Sequence, residues 1–378
     1  MPHTTSTYDC LIIGGGIIGL ALAYELGRAG LSVCVVDRGN PGREASWAGA
    51  GILPPGAASS PDPLESLVAH SSRLHAHWAA RLREETGVDT GYRQCGGLYV
   101  ARSEQELEEL REEAERLTGF GVELQWLSTH EVEQLEPVLV GTTTGAYLLP
   151  TEAQLRNPRH LNALLAACRL QGVEIFAHTP VEAIQLDRDR VASVQTPHAR
   201  LIAHHYCLSA GCWSGELIAQ LGFPVSIQPV RGQMVLLKSE RHVLGRVVNH
   251  HLRYLVPRDD GHILVGSTME NAGFDRTTTA AGVSGLIAFA LDLAPALSAC
   301  SVERSWAGLR PATSDGLPIL GRLPNLENAW IAAGHFRNGL TLSTATAEEM
   351  GRLIRGLPST IDVAPYSPTR FLAEQPAE

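Results

Sequence analysis

Two short stretches of this 378-residue chain hold the residue types from which chemistry is built. The first is GGGIIG at 14–19, a G-x-G-x-x-G spacing that directly follows an apolar run and opens a helical one. Each glycine answers a separate demand. Gly14 permits the tight turn, Gly16 lets backbone approach a pyrophosphate, and Gly19 lets the helix lie close on the strand. The helix opens at Ile17 and Ile18, and its N-terminus offers unpaired N–H groups and partial positive charge to phosphates. Asp37 stands eighteen residues beyond Gly19, where a carboxylate meets ribose hydroxyls, and Arg38 follows at the same site. The spacing predicts a dinucleotide-binding loop. The second stretch is AAGHFRNGL at 332–340. A strand-like run passes through Gly334, His335, Phe336, Arg337, Asn338 and Gly339 into a helical pattern. That is more glycine and more charge than a connection needs, so this turn is expected to meet a ligand.

These residues need elements to hold them. Residues 8–13 read as a strand, 17–29 as a helix and 31–37 as a second strand, with Gly30 as the helix C-cap. The stretch 54–63 is a loop, 71–85 helical and 96–101 a strand. In 103–117, Ser103 and Glu106 suggest a capping box, and Leu107, Leu110, Ala114 and Leu117 form an apolar stripe. The acidic face of that helix reads as solvated. Further strands are expected at 173–177, 191–195, 233–237, 254–257 and 262–266, a strand-to-helix turn at Gly211, and a weak helix at 283–291. The interleaving predicts a nucleotide-binding domain interrupted by excursions into an antiparallel sheet.

Composition narrows the function. A formal charge of -10 with no dense Lys/Arg run argues against nucleic acid or an anionic membrane surface. Seven cysteines lie singly, without CxxC, as in a reducing compartment. His204–His205, His250–His251 and His75/His77 lack a Cys or carboxylate at zinc-like spacing, so no metal is predicted. The N-terminus has no basic segment ahead of its apolar run, and four glycines interrupt that run. The expectation is a soluble, cytoplasmic protein with no transmembrane segment. No second G-x-G-x-x-G follows, which disfavours a two-nucleotide reductase. Small residues through 43–53 would let backbone lie against a flat ring, which favours flavin over nicotinamide.

Together GGGIIG, ASWAGAGIL (45–53), HTPV (178–181), SAGCWSG (209–215), YLVPR (254–258), VGSTM (265–269), WAGLRPATSDGLPILG (306–321) and AAGHFRNGL resemble one family. It is the D-amino acid oxidase-like superfamily of FAD-dependent oxidoreductases, most closely the glycine oxidases of thiamine biosynthesis. The resemblance runs from residue 10 to about residue 355. It implies an α/β fold: a discontinuous Rossmann-like FAD-binding domain (1–90, 152–226, 305–365) and an α+β substrate domain (91–151, 227–304), mainly antiparallel, with 366–378 as a tail. By the same resemblance Ser46, Gly49, Ala50 and Gly51 lie along the flavin, and Val181 borders the adenosine. Ala210, Gly211, Trp213, Gly308, Asn338 and Leu340 belong to the cofactor site, while Gly334 and Gly339 cradle the flavin pyrimidine edge at a helix N-terminus.

Arg310 matches the arginine that grips a substrate carboxylate, a role suited to its planar fork, and Tyr254 shares that carboxylate. Arg337 is a second positive group at the pocket mouth; Ile52, Leu252, Met269 and His335 are expected to line the pocket. The implied reaction is oxidation of glycine or another small primary or secondary amino acid to an imine and then a 2-oxo acid, with O2 reduced to H2O2. The alternative is a D-amino acid or D-hydroxyproline dehydrogenase passing electrons to quinone or another acceptor. FAD should be non-covalent, because no cysteine lies in 306–342, where related sarcosine oxidases attach theirs. The resemblance also implies a homo-oligomer, dimer or tetramer.

Overall fold

The protein was studied as a computed structural model describing residues 7–223 and 225–372. Residues 1–6 and 373–378, at the outer ends of the expected first domain and tail, lie outside the described residues.

The opening β-α-β unit forms as the pattern predicts: strand Thr7–Ile13, helix Ile17–Arg28, strand Val33–Val36, with both strands parallel and Cys10–Ile13 opposite Val33–Val36. Gly30 adopts φ +84°, and its N–H closes on the Gly27 carbonyl, as the C-cap reading requires. The helix is apolar nearly all round because it is covered on every side. The sheet lies on one flank and helices Pro63–Thr86, Asn157–Leu170 and Ser343–Ile354 on the other. Leu20, Leu22 and Leu26 are fully buried, each contributing roughly 1.5–3 kcal/mol of hydrophobic stabilisation.

The rest of this sheet comes from distant chain. Arg200–Leu208 pairs parallel to Thr7–Ile13 in register Ile13 with Leu208, and Glu174–Phe176 lies outside Val33–Val36. Arg200–Leu208 has two neighbours on its other side. Its start pairs antiparallel with Arg190–Gln195, its end parallel with Ala329–Ala333, which Ile319–Arg322 flanks.

The second sheet has the order Ser301–Ala312, Gln228–Lys238, His262–Gly266, Arg253–Pro257, Val247–His250, Gly97–Ala101, Gly145–Leu149, Gln125–Ser128. Every pairing is antiparallel except that of Val247–His250 with Gly97–Ala101. Side chains alternate between faces. Val235, Leu237, Leu255, Ile263 and Val265 pack under helix Ala280–Leu293, whereas Met234, Tyr254, Val256 and Leu264 face Ala50 and Ile52.

Several expectations need correction. The helix expected from 71 begins at Pro63, because Asp62 Oδ1 accepts the Leu64 N–H and proline suits the first turn. Strands Gln125–Ser128, Gly145–Leu149, Val247–His250 and Ile319–Arg322 were not foreseen. The Ser103 capping box is half made. Ser103 Oγ accepts from Glu106 N, but the Glu106 carboxylate turns to Arg102 N and the rings of His250 and His251. That helix's acidic face is therefore not merely solvated, since Glu113 also receives the Tyr147 hydroxyl.

Candidate active site

A cavity of about 730 Å³ runs from the glycine loop to the far end of the second sheet. At the loop, Gly14 has φ +110°, and a Cβ on it would press on the Ser209 carbonyl at 2.5 Å. Any Cβ on Gly19 would collide with the Gly14 carbonyl. Gly19 does not line the cavity; it seats the helix. Gly16, Ile17 and Ile18 form the wall, and Ser46 Oγ takes the Ile17 N–H at 2.9 Å, so part of the cap comes from the distant small-residue segment. Asp37 also lines the cavity, and its carboxylate accepts Gly15 N–H (2.7 Å) and Gly39 N–H (2.8 Å), tying the loop to the second strand. Beyond it the Arg38 guanidinium lies 3.4 Å from the centre of the Trp213 ring. Val181, Ala210 and Gly211 complete this end.

The middle of the cavity is a backbone trough. Ser46, Gly49, Ala50, Gly51 and Ile52 line one side and Gly308 the other. Side chains are excluded sterically. A Cβ on Gly51 would run into the Leu155 carbonyl, and one on Gly308 would approach the Ala48 methyl at 2.6 Å. Asn157 donates Nδ2 to the Ser46 carbonyl at 2.7 Å, while its buried Oδ1 has no partner among the described residues. Gly334, with φ +76°, Asn338, Gly339 and Leu340 close the end of the trough. The turn departs from expectation here. A 3-10 turn, Phe336–Asn338, intervenes, and the α-helix begins only at Ser343, so its N-terminus is not at Gly339.

The cation sites lie at the far end. Arg310 projects over Gly232, where any Cβ would occupy the guanidinium's place. Its Nη1 donates to Thr268 O (3.1 Å) and Nη2 to Ser267 Oγ (2.7 Å). No carboxylate among the described residues forms an ion pair with it. Burial pulls its pKa below the usual arginine value, and the neighbouring Tyr254 opposes that shift. An arginine with neutral acceptors and no counter-ion, facing a cavity, is an anion site. Tyr254 lines the same space, its hydroxyl 3.6 Å from Met234 Sδ. Arg337 is exposed at the rim, with a long 3.4 Å contact to the Leu252 carbonyl. His335 lines the cavity but is buried, with Nε2 3.0 Å from Thr346 Oγ1; burial lowers its pKa to about 3, so it remains neutral and offers no positive charge.

Two expected pocket residues stand elsewhere. Leu252 and Met269 are 51% and 50% exposed and do not line the cavity; Leu252 sits on the turn after Val247–His250, and Met269 in the irregular segment after His262–Gly266. Conversely, Tyr99, Asn157, Asn249 and Met234 line the cavity without having been singled out. Strand register alone brings most of them there. The histidine pair 250–251 also proves to have a carboxylate, each Nε2 lying 3.1 Å from a different Glu106 oxygen.

A glycine loop at a helix N-terminus, a side-chain-free trough and an orphaned amide oxygen fit a long nucleotide ending in a flat ring. A fold of two large sheets, with a small three-stranded one beside them, and that groove is the architecture of a flavin-dependent oxidoreductase. Residues 9–353 match the family model described as FAD dependent oxidoreductase, and the chain belongs to that family. It is 38% identical to a glycine oxidase of Pseudomonas putida over 95% of this chain and 97% of that one. It superposes on the crystal structure of a glycine oxidase from Geobacillus kaustophilus with TM-score 0.93 and 33% identity, covering 97% and 99% of the two chains. An iminodiacetate oxidase from Chelativorans sp. BNC1 follows at TM-score 0.88 and 27% identity, covering 95% and 98%. The protein is an FAD-dependent amino-acid oxidoreductase. No helix among the described residues is long and apolar enough to cross a membrane.

Proposed function

We propose that the chain oxidises glycine or another small primary or secondary amino acid and passes the electrons to O2. The carrying observation is Arg310, a counter-ion-free guanidinium in a cavity otherwise suited to FAD. The substrate carboxylate would take the fork of Arg310 and the Tyr254 hydroxyl, which would hold the amine and Cα inside the cavity. FAD, when bound, supplies the electron-accepting chemistry for oxidation of the Cα–H bond. The protein's part is orientation and exclusion of water. Behind the cavity wall, Trp306 donates Nε1 to the Ala48 carbonyl (3.1 Å) and stands edge-on to Trp47, which fixes the lining segment around Ala48. No side chain is assigned as a general base, and neutral His335 does not act as a cation. The imine released would hydrolyse to the 2-oxo acid. Similarity to glycine oxidases supports the substrate class and O2 as acceptor; the working form is taken as a homo-oligomer, which light scattering would check.

The test is anaerobic bleaching of the purified yellow protein by glycine, sarcosine, D-alanine, D-proline and 2-hydroxy acids, followed by peroxide measurement on admitting air. Bleaching by a small amine with stoichiometric peroxide is expected. Bleaching by hydroxy acids alone would overturn the amino-acid reading, and dye reduction without peroxide would favour the dehydrogenase.

A further inference from the structure

One face of the second sheet carries a row of direct cross-strand neighbours: Tyr147, Tyr99, Asn249, Tyr254, Gly266, Met234 and Trp306. Tyr99, Asn249, Tyr254 and Met234 of this row line the cavity. Asn249 is thus the immediate neighbour of Tyr254, one strand further from Arg310. Behind it lies Glu152, whose side chain is fully buried. Its carboxylate occupies the place a side chain on Gly97 would fill. It accepts the Tyr99 hydroxyl (2.8 Å) and Asn249 Nδ2 (3.3 Å). No ion pair among the described residues includes Glu152. Arg246 is taken by Glu136 and Arg93 by Asp259, and the groups facing Glu152 are the phenols Tyr99 and Tyr147, with Glu113 beyond.

We propose that Glu152 is a positioning residue that orients Asn249, so that the Asn249 amide oxygen accepts a hydrogen bond from the substrate amine. A carboxylate only accepts, so it must draw the amide NH2 toward itself. Oδ1 then faces away from it, and among the described residues the Asn249 side chain makes only the bond that Nδ2 gives Glu152. An ammonium, primary or secondary, only donates, which matches such an oxygen. The site would read an amino acid at both ends: anion at Arg310, cation beside Tyr254 at Asn249. This rests on the proposed placement of the substrate carboxylate at Arg310. Burial raises the Glu152 pKa to about 7, against its hydrogen bonds to Tyr99 and Asn249, which lower it. Below that pH the carboxyl becomes a donor and no longer dictates the amide's orientation, so amine affinity falls as pH drops through about 7.

The test uses the FAD-loaded enzyme and two probes: glycine, with affinity from the concentration dependence of anaerobic bleaching, and acetate, a carboxylate without an amine, by flavin absorbance perturbation. Asn249→Leu should weaken glycine about tenfold or more and leave acetate within about twofold. Glu152→Gln should weaken glycine and abolish its pH step. Even without variants, wild-type glycine affinity should fall between pH 8.5 and 5.5 while acetate affinity stays level, because glycine's own amine remains protonated throughout. Glycine binding unchanged in both variants, acetate lost in parallel with glycine, or parallel pH profiles for the two probes would each overturn the proposal. Failure of the carboxylate reading is distinguishable, since acetate would then bind Arg310→Ala as well as wild type.

Discussion

Arg310 and Glu152 are opposite solutions to the same problem, a charged group out of water. Arg310 keeps its charge, satisfied by Thr268 O and Ser267 Oγ, and has no carboxylate partner among the described residues. Since a charge-assisted hydrogen bond is worth ~1.5–3 kcal/mol, Arg310→Ala should lower kcat/KM by roughly ten- to a hundredfold or more; steady-state kinetics at wild-type level would remove it from the role. Glu152 instead keeps its charge only above a raised pKa of about 7. The folded carboxyl therefore holds its proton in a range where the unfolded one, near 4.5, has lost it. The folded chain then binds more protons, so stability falls as pH rises from about 4.5 to about 7, by about 3 kcal/mol. Melting temperatures measured at pH 5 and pH 8 should show wild type losing ground to Glu152→Gln at the higher pH.

At the scale of elements, register decides what the site contains. Gly232 is empty of side chain so that Arg310, one strand over, can lie across it. Gly232→Ala should leave the fold intact by circular dichroism and FAD still bound, yet cost about as much kcat/KM as losing the arginine's grip. Ser46→Ala removes the cap on Ile17 N–H and should cost ~0.5–2 kcal/mol of stability, together with weaker FAD retention, read by thermal melts and flavin release. Register also explains what could be read in advance. Gly14, Gly16, Gly19 and Asp37 were legible because their demands are local, a turn, a helix start and a strand end within one β-α-β unit. The Arg310 role came only from resemblance. Tyr99, Asn249 and Glu152 meet through three strands of the second sheet and a bend, and nothing in TEAQL or VVNHH announces that meeting. Leu252 and Met269 were expected in the pocket from resemblance alone; both lie just outside the strands read at 254–257 and 262–266, where the chain leaves the sheet and its side chains turn outward.

For the whole molecule, the cavity joins both sheets, and FAD filling it would bind the native state alone. Added FAD should therefore raise the melting temperature of the apoprotein in a concentration-dependent way. Denaturation should release the flavin intact into the supernatant, because no cysteine stands in 306–342 to hold it; flavin remaining with precipitated protein would contradict this.

The strand Arg200–Leu208 has a consequence for synthesis. Its early residues can pair with Arg190–Gln195 and Thr7–Ile13 once they leave the ribosome, but the edge beside Tyr206–Leu208 stays bare until Ala329–Ala333 arrives. The turn that closes the trough follows immediately behind. A nascent chain of 300 residues thus already carries the whole glycine loop and an open sheet edge, the kind of surface that recruits another chain or a chaperone. Cofactor capture is deferred until the turn at 334–340 has been made, and a chain halted at residue 320 should emerge colourless and prone to aggregate, though every residue of its phosphate-binding loop is present.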